Sequence, residues 1–288
     1  MALYITLPER IEAASASALV ASARVITSVG DAVLDATRVR FSMPYGIVTL
    51  GAAVLRRETL GLVRLKYEPP IDAEAARFLR EVGFEELVKT GRSTRQGTLA
   101  MRRVSASSMD PTYTQGIADL VERLVPNTTE SVVDLVKTAL NEMLQNVVEH
   151  AESTTDAVVL TRWYAREQNV RIAIADSGIG LAKSVRRNPK TLSTLSSLEV
   201  VRNAVTVDGT SGRVGSRFGG LGLKYLHRTC VTRGGGVHVT THTVDAQYGP
   251  RDNRESVVSP LDGTTVEIDF RPGPDDGSRA EQKVEEFF

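Results

Sequence analysis

Three polar side chains stand at intervals of four in the stretch ALNEMLQNVVEHA: Glu142, Asn146 and His150. On a helix of 3.6 residues per turn they fall on one stripe, flanked by the apolar rows of Val136, Leu140, Met143 and Val147. Such a stripe borders a core without filling it, so it faces either water or a polar ligand. A second stretch, IADSGIG, ends a strand at Asp176 and follows it with Gly178 and Gly180. Glycine there lets the backbone turn with positive φ and lets a flat ring approach where a Cβ would block it. The carboxylate at the strand end can accept a hydrogen bond from an exocyclic amine, such as that of adenine, although an ordinary Asp-Ser-Gly turn has the same sequence. In a third stretch, GRVGSRFGGLGLKYL, a glycine-rich loop feeds a helix at about Leu221. Backbone amides and aligned peptide dipoles at a helix start favour phosphate oxygens. Gly219, Gly220 and Gly222 would give phosphates close access, and a plain flexible loop is the alternative. In the fourth, DGTTVEIDF, Gly263 and Thr264 open a strand where the threonine hydroxyl could support a ring, or where a loop simply joins a strand. No G-x-x-x-x-G-K-[ST] occurs, and the glycine run does not directly follow a strand, which disfavours the P-loop and the dinucleotide fingerprint.

The elements that must hold these residues fall into two groups. From Leu3 to about Val104 the pattern alternates strand and helix: LYITL, EAASASALVASARVI, DAVLDA, PYGIVTLGAAVLRRE, LGLVRLKY and DAEAARFLREVGF. This predicts a small α/β unit over residues 1–105 with helices packed on a sheet. A polar, basic stretch between Lys89 and Tyr113, in which only LAMRRV can make a strand, places a linker near Ser105 to Pro111. A second unit, 106–272, opens with the helix YTQGIADLVERLV and the Glu142 helix, the latter preceded by an Asn127-x-x-Glu130 signal resembling a capping box. Alternating strands follow. NVRIAIAD puts Val170, Ile172 and Ile174 on one face against Arg171, Ala173 and Ala175, and TTVEIDF opposes Val266, Ile268 and Phe270 to Glu267 and Asp269. The fold class expected is α/β (α+β), the second unit being an α/β sandwich with helices on one face of a mixed, mainly antiparallel sheet. Residues 273–288 are expected to be a mobile tail.

Composition narrows the partners. Thirty-five basic and thirty-five acidic residues cancel, so there is no strong nucleic-acid or anionic-membrane signature. No signal peptide or membrane span is read in the N-terminal stretch, and a cytoplasmic location is expected. The single cysteine, Cys230, sits in a helical pattern and reads as a buried reduced thiol. Trp163, in an alternating strand, reads as core. His238 and His242 would stand roughly 13 Å apart on a strand, too far to share one metal ion.

Taken in order, E-x-x-x-N-x-x-x-H, D-x-G-x-G, G-G-L-G-L (Gly219, Gly220, Leu221, Gly222, Leu223) and G-T resemble the N, G1, G2 and G3 boxes of the GHKL ATP-binding superfamily, over about Asp110 to Pro272. The resemblance implies a Bergerat-type fold that binds ATP and Mg²⁺. It implies that Asn146 ligates the metal, with His150 at the end of the same box, and that Asp176 reads the adenine amine. Gly178 and Gly180 would shape the ring pocket, the G-G-L-G-L residues would hold phosphate, and Thr264 would support the ring. Glu142 takes the place of the carboxylate that orients or deprotonates the attacking water or acceptor hydroxyl. Leu181 to Phe218 corresponds to the ATP lid, whose Lys183, Arg186, Arg187 and Lys190 would meet polyphosphate, a partner or only solvent. The first unit resembles the STAS fold of anti-anti-sigma regulators through AVLDATRVRFSMPYGIVTLGAAV. Met43, Pro44 and Tyr45 stand where those proteins carry a phosphorylatable residue, with Ser42 displaced, which argues against a phospho-switch.

Three functions follow as expectations: a slow ATPase or nucleotide-gated switch relayed to the first unit or to a partner, an anti-sigma-type serine protein kinase, and a non-hydrolysing ATP-binding scaffold. A protein partner or a homodimer is expected in each. Histidine kinase activity is disfavoured because all four histidines lie in or after the Glu142 helix. A gyrase-like clamp is disfavoured because only a short tail follows Pro272.

Overall fold

The computed structural model describes residues 2–92, 101–105, 111–126, 128–186, 195–206 and 222–273. In chain order the elements are β1 (Leu3–Thr6), β2 (Arg10–Ile11), α1 (Ala16–Ser28), β3 (Ala32–Asp35), β4 (Phe41–Ser42), α2 (Pro44–Thr59), β5 (Lys66–Glu68), α3 (Ala73–Glu81) and α4 (Phe84–Thr90). They continue as β6 (Arg102–Val104), α5 (Pro111–Leu124), α6 (Glu130–Asn146), β7 (Ala157–Tyr164), β8 (Asn169–Ala175), α7 (Leu181–Arg186), α8 (Ser197–Val205), α9 (Gly222–Thr232), β9 (Gly236–Tyr248) and β10 (Asn253–Phe270). The expected tail beyond residue 273 and Asn127 of the expected capping box lie outside the described residues. The N-cap of α6 is Thr129, whose hydroxyl pairs with that of Ser131 instead of capping an amide.

Two sheets organise these elements. β1, β3 and β5 form a parallel sheet in that order, and β2 pairs with β4. The larger sheet runs β6-β7-β8-β10-β9 with antiparallel pairing throughout. β6, which precedes the linker read near Ser105, is the edge strand of this larger sheet, with Arg103 opposite Val158.

The pleat of the larger sheet sorts its side chains as the alternation requires. Val159, Val170, Ile172, Ile174, Val266, Ile268 and Phe270 face α5, α6, α8 and α9 in one core. Within this unit, then, those helices share one face. Trp163 is partly buried against that core, and Cys230 is fully buried in it, where desolvation drives its thiol far above the ordinary range.

The opposite face carries Val158, Leu160, Ala173 and Ala175, and these belong to the core of the N-terminal helices. The helix that seats there is α2, whose stretch from Pro44 to Leu55 is apolar or small all round, as a helix segment enclosed on every side must be. Thirteen of its residues are buried. Gly51 makes this possible: its bare Cα lies so close to Met101, Leu87 and Val158 that an added Cβ would already stand 3.2 to 3.3 Å from them. Polar groups on this face are used as well. Met43 supplies no side-chain cap to α2. Glu267 of β10 takes that role, accepting a hydrogen bond from the Tyr45 amide at 2.8 Å while Arg171 donates to its other oxygen at 2.9 Å. Burial holds the Glu267 carboxyl above its usual range, opposed by Arg171 and then by His238. At the far end of α2 the buried Arg57 guanidinium donates to the carbonyls of Ile26, Val29, Gly30 and Val63, closing the C-terminus of α1.

Removing the carboxylate that caps α2 strands Arg171 beside a desolvated helix start. We expect Glu267→Ala to lower the unfolding free energy by about 3–5 kcal/mol in urea titration, and Glu267→Gln to lower it less because an acceptor remains. Gly51→Leu, which overfills the seam between α2 and β7, should cost about 1–3 kcal/mol in the same measurement.

Candidate functional site

The candidate site gathers where the end of α6, the turn after β8 and the start of the last stretch of β10 meet. α6 stays α-helical only to Asn146. From Val147 to Ala151 the backbone widens into a π-turn, a distortion that recurs at functional sites, and Glu152 closes it in the left-handed region at φ 48°. The α-helical stripe therefore carries Glu142 and Asn146 but not His150. That ring is exposed, with its Nε2 3.9 Å from a Glu149 carboxylate oxygen.

The turn after β8 is locked to both neighbours. The Ile179 amide donates to the Ala151 carbonyl at 2.8 Å, and Gly178 lies so close to that carbonyl that any Cβ would overlap it. Gly180 has φ +80° and Gly263 has φ +90°, conformations that favour glycine. A Cβ at Gly263 would overlap the Asp176 carbonyl. Hydroxyls complete the lock: the Leu181 amide donates to Thr241 at 2.9 Å and to Thr264 at 3.1 Å, and Thr241 in turn reaches the Gly263 carbonyl at 3.1 Å. The Asp176 amide donates to the Thr264 carbonyl at 3.0 Å. The DSGIG and DGTT stretches, about 85 residues apart in sequence, are thus one interlocked turn pair.

Asp176 sits at the centre of this pair. Its carboxylate accepts the Gly178 amide at 2.8 Å and is buried. Desolvation pushes its pKa up to about 6, against the pull of backbone hydrogen bonds from Gly178, Thr264 and its own amide. Among the described residues no cation faces it in an ion pair. The next residue points the other way: the Ser177 hydroxyl donates to the Ala52 carbonyl of α2 at 3.2 Å. Alternation along β8 therefore sends Asp176 toward the α6 side and Ser177 into the N-terminal unit.

On the opposite wall α9 begins at Gly222, packed so tightly on α6 that a Cβ there would overlap the Glu142 carboxylate. Glu142 thus lies beside the first turn of α9. Burial, and after it the charge of Glu149, raises its pKa. Leu223 is buried in the core behind it. Gly219, Gly220, Leu221, Arg187 and Lys190 lie outside the described residues. The described parts of the expected lid are helical: α7 follows Gly180 directly, and α8 begins with a capping box between Ser196 and Glu199.

Of the residues singled out from sequence, Asp176, Gly178, Gly180 and Thr264 come together directly, and Glu142 joins Gly222. Asn146 is half-buried, and its side chain makes no hydrogen bond among the described residues. Among the described residues, no three His, Cys, Asp or Glu side chains group so as to hold a metal ion. Sequence reasoning missed Thr241, Ala151 and Ser177. Thr241 lies in an alternating strand with no local mark. Ala151 acts only through its carbonyl, which no side-chain pattern reveals. His238, buried and bonded to Asp245 at 2.8 Å, and the exposed His242 do not pair.

Because the folded-state pKa of Asp176 lies above its ordinary 3.8, its carboxyl stabilises the fold fully below that value and loses this contribution as pH rises through about 6. At neutral pH the protein holds a costly ionised group. We expect Asp176→Asn, which keeps an oxygen for the Gly178 amide, to raise stability at pH 7.5 by about 1–3 kcal/mol and to make no gain at pH 4, as read by urea melts at the two pH values.

Residues 108–245 match the family model described as the histidine kinase-like ATPase domain. The match takes in α6, the turn after β8 and the start of α9, and it ends before Gly263 and Thr264. No curated protein matches the chain significantly. Among the described residues, no helix is long and apolar enough to cross a membrane. With the order of its sequence boxes and this match in agreement, the chain carries, at residues 108–245, a histidine kinase-like ATPase domain of the GHKL ATP-binding type.

Proposed function

We propose that the protein is a Mg²⁺-dependent nucleotide switch that hydrolyses ATP slowly and relays the state of its lid to the N-terminal unit or to a partner. The observation that carries this reading is the buried Asp176 carboxylate, held by backbone amides and short of a cationic partner among the described residues, where two glycine turns meet. An adenine amine supplies the donor such a carboxylate lacks. Asn146 would hold Mg²⁺, which when bound offsets phosphate charge. Glu142, raised in pKa by burial, stands beside the first turn of α9 as the group to accept a proton from water or from an acceptor hydroxyl. Support for the relay lies in the contacts of α2. Ala52 accepts from Ser177 in the turn after β8, and Arg56 donates to Thr154, just past the π-turn, at 2.7 Å.

A second reading, protein serine kinase of the anti-sigma type, is favoured by the parallel β1-β3-β5 sheet and by the entry of α2 at the position where STAS-like regulators carry their phosphoacceptor. In this chain Tyr45 is fully buried, its hydroxyl bonded to Thr240 at 2.7 Å, and Ser42 is buried too, so the acceptor serine would belong to another protein.

Calorimetric titration of ATP with and without Mg²⁺ tests the binding step, and tight binding is expected only with the metal. Glu142→Gln should keep ATP affinity within about threefold and lower turnover by 10² or more, as roughly expected for loss of a general base. Asp176→Asn should lose ATP binding, and wild-type affinity should weaken below about pH 6 as the carboxyl takes up its proton. γ-Labelled ATP separates the two readings: the switch releases label as inorganic phosphate, whereas the kinase leaves it on a serine of an added partner. Binding without any release of label would identify a scaffold.

A further inference from the structure

Behind the Asp176 turn, on the side away from α6, a cleft of about 350 Å³ opens between α1, α2 and the 260–262 segment of β10. Its size falls at the lower end of small-molecule sites, room for a ligand of roughly ten heavy atoms. Its walls come from both units of the chain and include Asp176 and Ser177.

The hydrogen-bonding capacity of the walls is lopsided. The hydroxyl protons of Thr27 and Ser28 on α1 are given to carbonyls of their own helix, Arg24 at 3.0 Å and Val25 at 3.3 Å. Thr49 on α2 gives its proton to the Tyr45 carbonyl at 2.7 Å. Thr265, 3.1 Å from Thr49, must therefore be the donor in that pair. What these hydroxyls present to the cleft is lone pairs, and the Asp262 carboxylate adds more acceptors. Donors come from two guanidiniums, Arg24 and Arg56. Neither meets a carboxylate among the described residues; Arg56 reaches only the Thr154 hydroxyl, and its Nε is buried with no partner. A ligand that satisfies this wall carries anionic oxygens for two arginines and N–H donors for Asp262 and the hydroxyls. Setting aside Asp176, whose buried carboxylate is bonded to the Gly178 amide, two cations and one carboxylate leave a net charge of +1, which a singly negative zwitterion neutralises.

We propose that this cleft is a second ligand site, specific for a small amino-dicarboxylic acid: its two carboxylates meet Arg24 and Arg56, and its ammonium meets Asp262. The ligand would brace Ser177 and the α2 carbonyl it bonds, and so the turn that carries Asp176. Binding in the cleft stands independently of the nucleotide reading, and only its coupling to ATP rests on that reading.

Calorimetry on the full chain, with L-glutamate and L-aspartate as probes, tests the site. Glutarate, which lacks the ammonium, and L-glutamine, which lacks the second carboxylate, serve as comparisons. Saturable binding of at least one acidic amino acid is expected, weaker by about tenfold or more for both comparison compounds, as loss of one charged hydrogen bond dictates. Arg24→Gln and Asp262→Asn alter exposed side chains and should leave the fold intact by circular dichroism. Each should weaken binding by a similar factor. ATP affinity should shift by about fivefold or more when the cleft is filled. The site is overturned if neither amino acid gives saturable heat up to about 10 mM, if glutarate binds as tightly as glutamate, or if neither substitution weakens binding. Amino-acid heat in a protein that never binds ATP would refute the nucleotide reading and leave the cleft standing.

Discussion

The arrangement rests on the enclosure of α2 between two sheets. A helix buried on every side cannot solvate its own ends, so its first amides and last carbonyls must find partners in the protein. Here the start is met by Glu267, 222 residues away in sequence, and the neighbouring end of α1 is closed by Arg57. Glu267 is itself affordable only because Arg171 stands on the adjacent strand. The enclosure also fixes residue size, because a helix that close to β7 needs Gly51 where the two surfaces touch. The N-terminal unit and the larger sheet consequently share one core, and neither face of that sheet is left to water where α2 lies.

That enclosure reaches the candidate site through one residue. Successive residues of a strand point to opposite faces, so Asp176 and Ser177 divide the turn between the α6 side and α2. The carboxylate is held by the Gly178 amide while its neighbour is tethered to the N-terminal unit. A displacement of α2 has a direct mechanical path to the group proposed to read the base, and the cleft behind the turn lies on that path. The buried charge of Asp176 is unfavourable in isolation. It sits at the junction of tightly packed glycines, where an added side chain would collide with neighbouring atoms.

Much of this was legible beforehand. The strand and helix order, the two faces of β8 and β10, and the meeting of Asp176 with its glycines follow from periodicities of 2 and 3.6 and from where glycine is tolerated. The order of four short motifs pointed to the ATP-binding domain that residues 108–245 match. Two features escaped. The Glu142 stripe breaks after Asn146 because the chain widens into a π-turn, which lets the Ala151 carbonyl face the Gly178 turn, and no residue pattern announces that widening. The alternation of β10 set Glu267 opposite its apolar face, and nothing in it showed that α2 covers that face and buries Glu267.

What the sequence determined by itself, then, is largely local: most of the helix and strand order, which face of β8 and of β10 is apolar, and where glycine replaces a side chain in the turns. Tertiary structure alone decided which polar residues are buried, that α2 joins the larger sheet, and that Thr241 and Ser177 support the turn around Asp176. The physical reason is that burial and hydrogen-bond partnership belong to pairs of surfaces. A strand shows in its own residues which face is polar, but whether water or another helix covers that face is set by chain far away in sequence.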